Sequence, residues 1–459
     1  GQLRAWVDGA FRDGFCGGLN NATPGVVLAT DGRVVFDIDF ISAYPTGAAT
    51  VPRIDWSEAD GVVDTPDLET VLGVGDAPLT PVTLAYVRFK FPEGTNRPCI
   101  PVRAGKYGLI YPLCGVGYAT TAELITARDK GVEIEIVRCI TLPMYMTDAG
   151  LPEPLFAPFL SEMITRRRRF VKNSLANLLY KLICNGLYGK LAQGVKPRFV
   201  RSFDRRDQLP ESAVTCPAYA CAITGAVRAA LVELQDAIEE AGGVVHSATT
   251  DGCMASFPGH PDTHQALTDI PGLLEAVYRK PAILRMRDGL RNMGLPETVL
   301  ELKAVGDSCE VWKTRGYVIW RDGEVKHLAK AGHQLNVEEL REVARHPDIP
   351  KWTMRSLASA QSIYDGNHED LVSITKDKRA NLDFDFKLIP NGREGFRPPR
   401  DMDEFLDWRE GAETLRKSGR RATTDRVALS IGGHSLRGDI EATVRRKLLR
   451  AVVQDGGGV

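Results

Sequence analysis

Residues 34–45 read VVFDIDFISAYP. Their period-two alternation predicts a β-strand with Phe36, Ile38 and Phe40 on one face and Val35, Asp37, Asp39 and Ile41 on the other. Two neighbouring carboxylates on one face of a strand are costly unless cations or a metal ion meet them. The strand then runs into a Ser42-Ala-Tyr44-Pro45 step that ends it. The remainder of the chain is read for what those acids need.

The 459 residues suffice for a large multi-lobed enzyme or two to three domains, and 43% hydrophobic content supports a sizeable core. No window reads as a transmembrane helix, and the N-terminus shows no signal-peptide pattern. The expectation is therefore a cytoplasmic protein with no membrane partner. Nine cysteines without a CxxC pair argue against a disulfide framework or structural zinc and read as ordinary buried thiols. With 58 basic and 59 acidic residues the net charge neither requires nor excludes nucleic acid. Local clusters matter more, above all the run Arg166–Arg169.

Before the organising strand, AFRDGFCGGLNN (10–21) reads as a Gly- and Asn-rich loop, and Asp31-Gly32 as a turn between strands. Residues 60–150 alternate β-prone runs with one helix, ATTAELITARDKG, capped by Thr and ended by Gly. Residues 155–189 predict a helical hairpin, SEMITRRRRFVK and LANLLYKLICNGLYG, broken at Asn173-Ser174. An amphipathic helix over 212–243 with a Gly stop precedes GGVVHSATTDGCMASF, read as strand, Thr-Asp-Gly turn and strand. Further strands follow over 300–335 with an Asp322-Gly323 turn; 336–370 reads as mainly helical, 380–410 as irregular, and the last fifty residues as basic.

Three segments carry the chemistry. Asp39 ends a strand and Asp251 sits in a hairpin turn; two such carboxylates brought together are an ordinary way to hold two divalent cations for phosphoryl transfer. On the hairpin's second helix, Lys181, Asn185 and Tyr188 share a face suited to a phosphate, a polar edge and a stacked base. Arg168 and Lys172, one turn apart on the first helix, are placed to grip a polyphosphate. Each feature alone is commonplace: an Asp-Gly turn is usually a plain hairpin and an arginine run a solvated face. His246 reads as a packing residue.

In combination the segments resemble a family. DFISAYP (39–45), KLICNGLYG (181–189) and SATTDG (247–252) resemble motifs A, B and C of the family B DNA polymerases, in the same order. AFRDGFCGGLN resembles the family's template loop, WKTRGY (312–317) its primer-supporting Lys-x-Tyr element, and the segment between motifs A and B the insertion of the protein-primed branch.

The resemblance implies an α+β right-hand fold: palm over 1–60 and 191–300, an insertion over 61–150, helical-hairpin fingers over 151–190, palm–thumb junction and thumb over 301–400, and a basic extension over 401–459. It implies template-directed addition of dNTPs to a 3′-OH with release of pyrophosphate, on a DNA primer-template. A priming protein is a further implied partner, and bacterial, plasmid or viral origin the implied source. Asp39 and Asp251 would hold two Mg²⁺ ions, Mn²⁺ substituting, helped by the backbone at Phe40. Tyr44 would lie under the sugar and exclude a 2′-OH. Ser42, Arg168, Arg169, Lys172 and Lys181 would serve the nucleotide, and Asn185 and Tyr188 shape the nascent base pair. Phe11, Arg12, Gly14, Gly189, Lys313, Arg315 and Tyr317 would contact DNA.

The chain departs from the pattern at Thr249, where motif C carries a further acid, and Asp37 is the expected source of compensating charge. Gly186 replaces a Ser of motif B, and Asp13 stands at the first Gly of the template loop. There is no room before residue 10 for the family's 3′–5′ exonuclease domain, so the expectation is a truncated chain or a polymerase without proofreading. Two alternatives stay open: a primase-like, primer-independent polymerase, and a catalytically silent nucleic-acid-binding protein.

Overall fold

A computed structural model describes residues 2–23, 25–58, 62–63, 68–72, 81–172, 174–196, 199–202, 205–208, 210–330, 336–339, 352–357, 373–378, 387–391 and 396–417. In chain order the elements used below are α1 (Gln2–Gly14), β1 (Asn20–Ala22), β2 (Gly25–Val27), β3 (Arg33–Phe40), α2 (Ala43–Ala48), β4 (Val62–Val63), β5 (Val82–Lys90), β6 (Cys114–Thr120), α3 (Thr121–Asp129) and β7 (Glu133–Leu142). They continue with α4 (Ala157–Arg168), α5 (Leu175–Leu191), α6 (Pro217–Glu240), β8 (Val244–Thr249), β9 (Gly252–Pro258), α7 (Pro281–Asn292), β10 (Leu300–Gly306), β11 (Ser308–Lys313), β12 (Gly316–Arg321) and β13 (Glu324–Lys330).

The organising strand, β3, is the fourth strand of a five-stranded antiparallel sheet ordered β1-β8-β9-β3-β10. The predicted alternation holds. Val34, Phe36, Ile38 and Phe40 enter the main core, while Val35 packs with Met254, Cys309 and Ile319 in a second cluster. The acid-bearing face is thus itself largely covered, which a reading of one buried and one open face does not anticipate. A second sheet, β13-β12-β11-β2, supplies that cover, and a third, β4-β7-β5-β6, is built by the predicted insertion. Asp322 and Gly323 both take positive φ in the β12–β13 turn (55° and 76°), as an Asp-Gly hairpin requires.

The helix α6 organises the core behind the sheets, packing on α1, α2, α3 and α7. It is long and apolar enough to cross a membrane by length and composition, which the sequence reading missed, but 94% of its apolar window is buried inside the protein. It is not the amphipathic helix expected, because 20 of its 24 residues are buried. Its buried charges, Glu233 and Arg228, are matched internally. Glu233 accepts from Thr126 Oγ1 (2.7 Å) and from the first backbone N–H groups of α7 at Ala282 (2.8 Å) and Ile283 (3.1 Å), where a carboxylate complements a helix N-terminus.

Arg228 and Glu123 form a wholly buried ion pair at 2.8 Å. Glu123 also completes the capping box of α3, accepting from Thr120 N at 2.9 Å. Arg228 donates further to the carbonyls of Cys16 (2.6 Å) and Gly17 (2.8 Å), tethering the loop after α1 to the core helix. Gly225 permits the close approach of α6 and α3, since a Cβ there would lie 2.1 Å from Thr120 Oγ1.

Several expectations need correction. The 10–21 segment is not a loop from its start: α1 runs to Gly14, because Val7 and Phe11 on one helical face pack into the core. The first hairpin helix ends at Arg168, so Arg168 and Lys172 do not stand one turn apart on it. Ser174 caps α5 by accepting from Asn177 N, as expected, whereas Asn173 lies outside the described residues. Within 336–370, residues Trp352–Leu357 form a strand paired with Ser373–Lys378 rather than helix. Within 380–410 a helix starts at Met402, where Asp401 Oδ1 accepts from Glu404 N as an N-cap acceptor does. The basic extension lies outside the described residues from 418 onward.

Candidate active site

The β8–β9 hairpin and β3 bring Asp251 and Asp39 together. Gly252 is the register partner of Asp39, and Phe40 N donates to Asp251 O at 2.8 Å, locking the turn to the end of the organising strand. The pairing depends on glycine. A Cβ at 252 would lie 1.9 Å from Asp39 Oδ1 and 2.5 Å from the Ile38 carbonyl. If the polymerase activity implied by the sequence resemblance is present, Gly252→Ala is expected to slow nucleotide incorporation by about 100-fold, since displacing a reacting group by about 1 Å costs that much. Single-turnover incorporation measures it, and a near wild-type rate would contradict the placement.

Thr250 takes a left-handed φ of 46° and its Oγ1 donates to Asp251 Oδ1 at 2.9 Å. Arg315, also left-handed at φ 59°, donates Nη2 to Thr250 Oγ1 at 3.2 Å. Arg315, expected at the primer, thus braces the turn that carries Asp251. Lys313 is half-buried on the same hairpin. Gly18 touches the turn from the other side: a Cβ there would lie 2.8 Å from Thr250 Cγ2 and 3.0 Å from the Tyr44 hydroxyl.

Burial, then the Asp251 and Asp37 charges, push the Asp39 carboxyl up to about 7, with Lys303 Nζ opposing from 3.8 Å. Among the described residues no group of three or more His, Cys, Asp or Glu side chains is gathered as a metal site; Asp39 and Asp251 are a pair of carboxylates whose mutual repulsion a cation would relieve. The raised value has a sign consequence. Between pH 4 and about 7 the folded, metal-free protein keeps a proton on Asp39 that the unfolded chain releases, so stability falls as pH rises through that window. Asp39→Asn in EDTA should gain roughly 1–2 kcal/mol at pH 8 after allowance for partial exposure, and nothing below about pH 4. Denaturant unfolding at the two pH values checks this; an Asn variant no more stable at pH 8 would contradict it.

Asp37 behaves differently from Asp39. It is buried, accepts from the Tyr317 hydroxyl at 3.2 Å and lies 3.6 Å from His327 Nε2. Its charge acts on Asp39, but burial pushes the Asp37 carboxyl itself above the ordinary carboxylate range and its oxygens are engaged by the second sheet. Tyr317 is correspondingly buried, so its ring does not offer the primer contact expected of it. Phe11 is likewise fully buried and presents no surface to template. Arg12 is held by Glu211 at 2.7 Å, and Gly14 packs its backbone against Leu84.

Beyond the strand, Ser42 adopts φ 47° and its carbonyl accepts from Thr46 N at 2.8 Å, starting α2. This turn presents Tyr44, which stacks on Tyr188 with ring centroids 4.7 Å apart and planes 17° from parallel. Motifs A and B thus meet through their tyrosines, while Lys181, Asn185 and Gly189 stay exposed along α5. Arg168, Arg169 and Lys172 are exposed at the hairpin's tip. Arg167 Nε donates to Asn177 Oδ1 (3.5 Å), which fixes that tip opposite residue 177. Eleven residues of helix separate Asn177 from Tyr188, about 17 Å at 1.5 Å per residue, so the structure does not gather the tip cations at the carboxylates. His246 is a packing residue, its Nε2 at 2.8 Å from Ser256 Oγ and its pKa pushed down to about 3 by burial and the nearby Arg33 and Arg97.

Sequence reasoning missed Lys303, Gly18 and Arg228. Glu301 and Lys303 lie on β10, whose Glu301 is the register partner of Asp39. An arginine inside the apolar run GAVRAALV was the available signal for Arg228.

Residues 17–210 match the family described as DNA polymerase type B, organellar and viral. A primer-independent DNA polymerase, PolB, of Escherichia coli is 29% identical over 411 residues, covering 82% of this chain and 44% of that protein. Among solved structures, phi29 DNA polymerase with primer-template DNA aligns with a TM-score of 0.51 at 13% identity, over 82% of this chain and 62% of that one. Its complex with primer-template DNA and incoming nucleotides gives 0.52 at 14% identity. These likenesses show an α+β polymerase fold. The chain spans less than half of the E. coli relative and under two thirds of the phi29 enzyme.

Proposed function

We propose that this chain, whose residues 17–210 match the family of type B DNA polymerases, organellar and viral, adds dNTPs to a growing 3′ end on a DNA template. The observation that carries the proposal is the register of Asp39 beside the Gly252 turn, which assembles two carboxylates with a stacked Tyr44–Tyr188 pair next to them. In this reading the central sheet with α6 is the palm, the α4–α5 hairpin the fingers, and the strands after β10 lead toward a thumb.

The chain's own residues divide the work. Asp39 and Asp251 hold divalent cations, with Mg²⁺ the natural choice because it takes one or two carboxylates and fills its shell with phosphate oxygens and water. Bound there, such ions lower the cost of charge on the attacking and leaving oxygens. Tyr44, fixed by Ser42 and by Tyr188, forms the floor under the sugar. Lys181, on the exposed face of α5, neutralises phosphate, and Asn185 borders the base pair. Thr250 and Arg315 hold the Asp251 turn in register. Template bases select the nucleotide by pairing, so the protein chiefly grips the backbone. No proofreading activity is assigned to these residues.

A second reading, starting strands without a primer, is favoured by the E. coli relative's description as primer-independent. Both are tested by one experiment: dNTP incorporation on primed and on bare single-stranded DNA with Mg²⁺. Product only in the primed lane supports the first reading, and product in both supports the second. DNA binding without product in either lane leaves a silent nucleic-acid-binding protein and overturns the proposal.

A further inference from the structure

The outer face of the insertion sheet carries a row that the catalytic reading leaves unused. Arg138, Tyr86 and Tyr118 are register partners across β7, β5 and β6, so their side chains stand side by side on one face, with strands about 5 Å apart. The two tyrosine rings lie 4.8 Å apart at 46°. The helix α1 crosses this face and leaves a cavity of about 630 Å³ between them, lined by Trp6, Gly9 and Asp13 from the helix and by the row from the sheet. The Arg138 guanidinium sits 5.8 Å from the Trp6 ring centre. Trp6 and Tyr86 remain 37% and 36% exposed, so large aromatic surfaces face an open cavity. The Tyr118 hydroxyl is near both Asp13 and Arg138, whose charges act on it in opposite senses.

The geometry points to a single-stranded DNA site in this cavity, taking a base of the template strand beyond the catalytic centre. The inference rests on the polymerase reading and gives it a second contact. Aromatic faces beside a guanidinium are the means by which proteins hold unpaired bases without sequence preference. Asp13 is placed to accept from a base's amino edge, and Arg138 to meet a phosphate. The route to the catalytic turn is short and cationic. Lys196 Nζ donates to the Asp13 carbonyl at 3.5 Å, and Arg103 Nη2 donates to the Phe15 carbonyl. Five residues on from Asp13, Gly18 touches Thr250 and Tyr44, a span of at most about 18 Å of chain.

Gly9 gives the test a clean variant. It lines the cavity within α1, and a Cβ there would meet nothing within 4 Å, so Gly9→Leu sends a side chain into the cavity from an open position. Affinity would be measured by fluorescence anisotropy for labelled primer-templates with template overhangs of about 2 and about 15 nucleotides, bracketing the usual single-strand site sizes. Wild type should bind the long overhang about tenfold more tightly than the short one. Gly9→Leu should remove that preference while leaving short-overhang affinity and thermal midpoint unchanged, and Tyr86→Ala with Tyr118→Ala should separately remove it while leaving short-overhang affinity unchanged. Retention of the preference by both variants, an equal loss on both substrates, or no preference in wild type would each overturn the site. Failure of the polymerase reading is separate: it is absence of incorporation by wild type, whatever the affinity ratio.

Discussion

Asp251→Asn should reduce dNTP incorporation by at least about 10³-fold, roughly 4 kcal/mol of transition-state stabilisation, with little change in folding. The substitution keeps the shape of the side chain and an oxygen able to accept from Thr250 Oγ1, so the turn retains its local bond. The Phe40 N to Asp251 O bond is made by the backbone and is untouched. What is lost is the negative charge beside Asp39. A carboxylate pair draws a divalent cation out of water; one carboxylate with a neutral amide does so far less well. Single-turnover incorporation at saturating Mg²⁺ measures the loss, with circular dichroism as the folding control. A variant within tenfold of wild type would remove Asp251 from the centre.

The second large effect concerns stability. Arg228→Met should cost about 3–5 kcal/mol, because it leaves the buried Glu123 charge without its cation, held only by the Thr120 bonds. Denaturant unfolding measures it. Adding Glu123→Gln should recover much of the loss, since the amide oxygen still accepts from Thr120 N while the orphaned charge is gone. Activity should not recover in parallel. The carbonyls of Cys16 and Gly17 would still lack their donor, and this loop sets Gly18 against Tyr44 and Thr250. A double variant that regains full activity would show that the tether is structural only.

The strand and hairpin that hold the two acids were legible in the sequence because their signals are local. Alternation over 34–40 and the Thr-Asp-Gly turn at 250–252 require no knowledge of distant partners, and the capping of α3 by Thr120 and of α5 by Ser174 is equally local. What failed was set by tertiary packing. Phe11 looked like part of an exposed loop until α1 was seen to lie on the core. Tyr317 looked available until the second sheet folded its hydroxyl onto Asp37, and α6 looked amphipathic although 20 of its 24 residues are buried, with the Arg228 and Glu233 charges matched inside. Lys303 and Gly18 were invisible because their roles arise only when β10 and the loop after α1 are placed beside β3 and the β8–β9 turn.

The most direct test of the account is extension of a labelled DNA primer on a template of known sequence, one dNTP at a time, with Mg²⁺ and with EDTA. The account predicts addition of the template-complementary nucleotide in Mg²⁺ and none in EDTA. Addition in EDTA, or no addition with any nucleotide in Mg²⁺ or Mn²⁺, would contradict it.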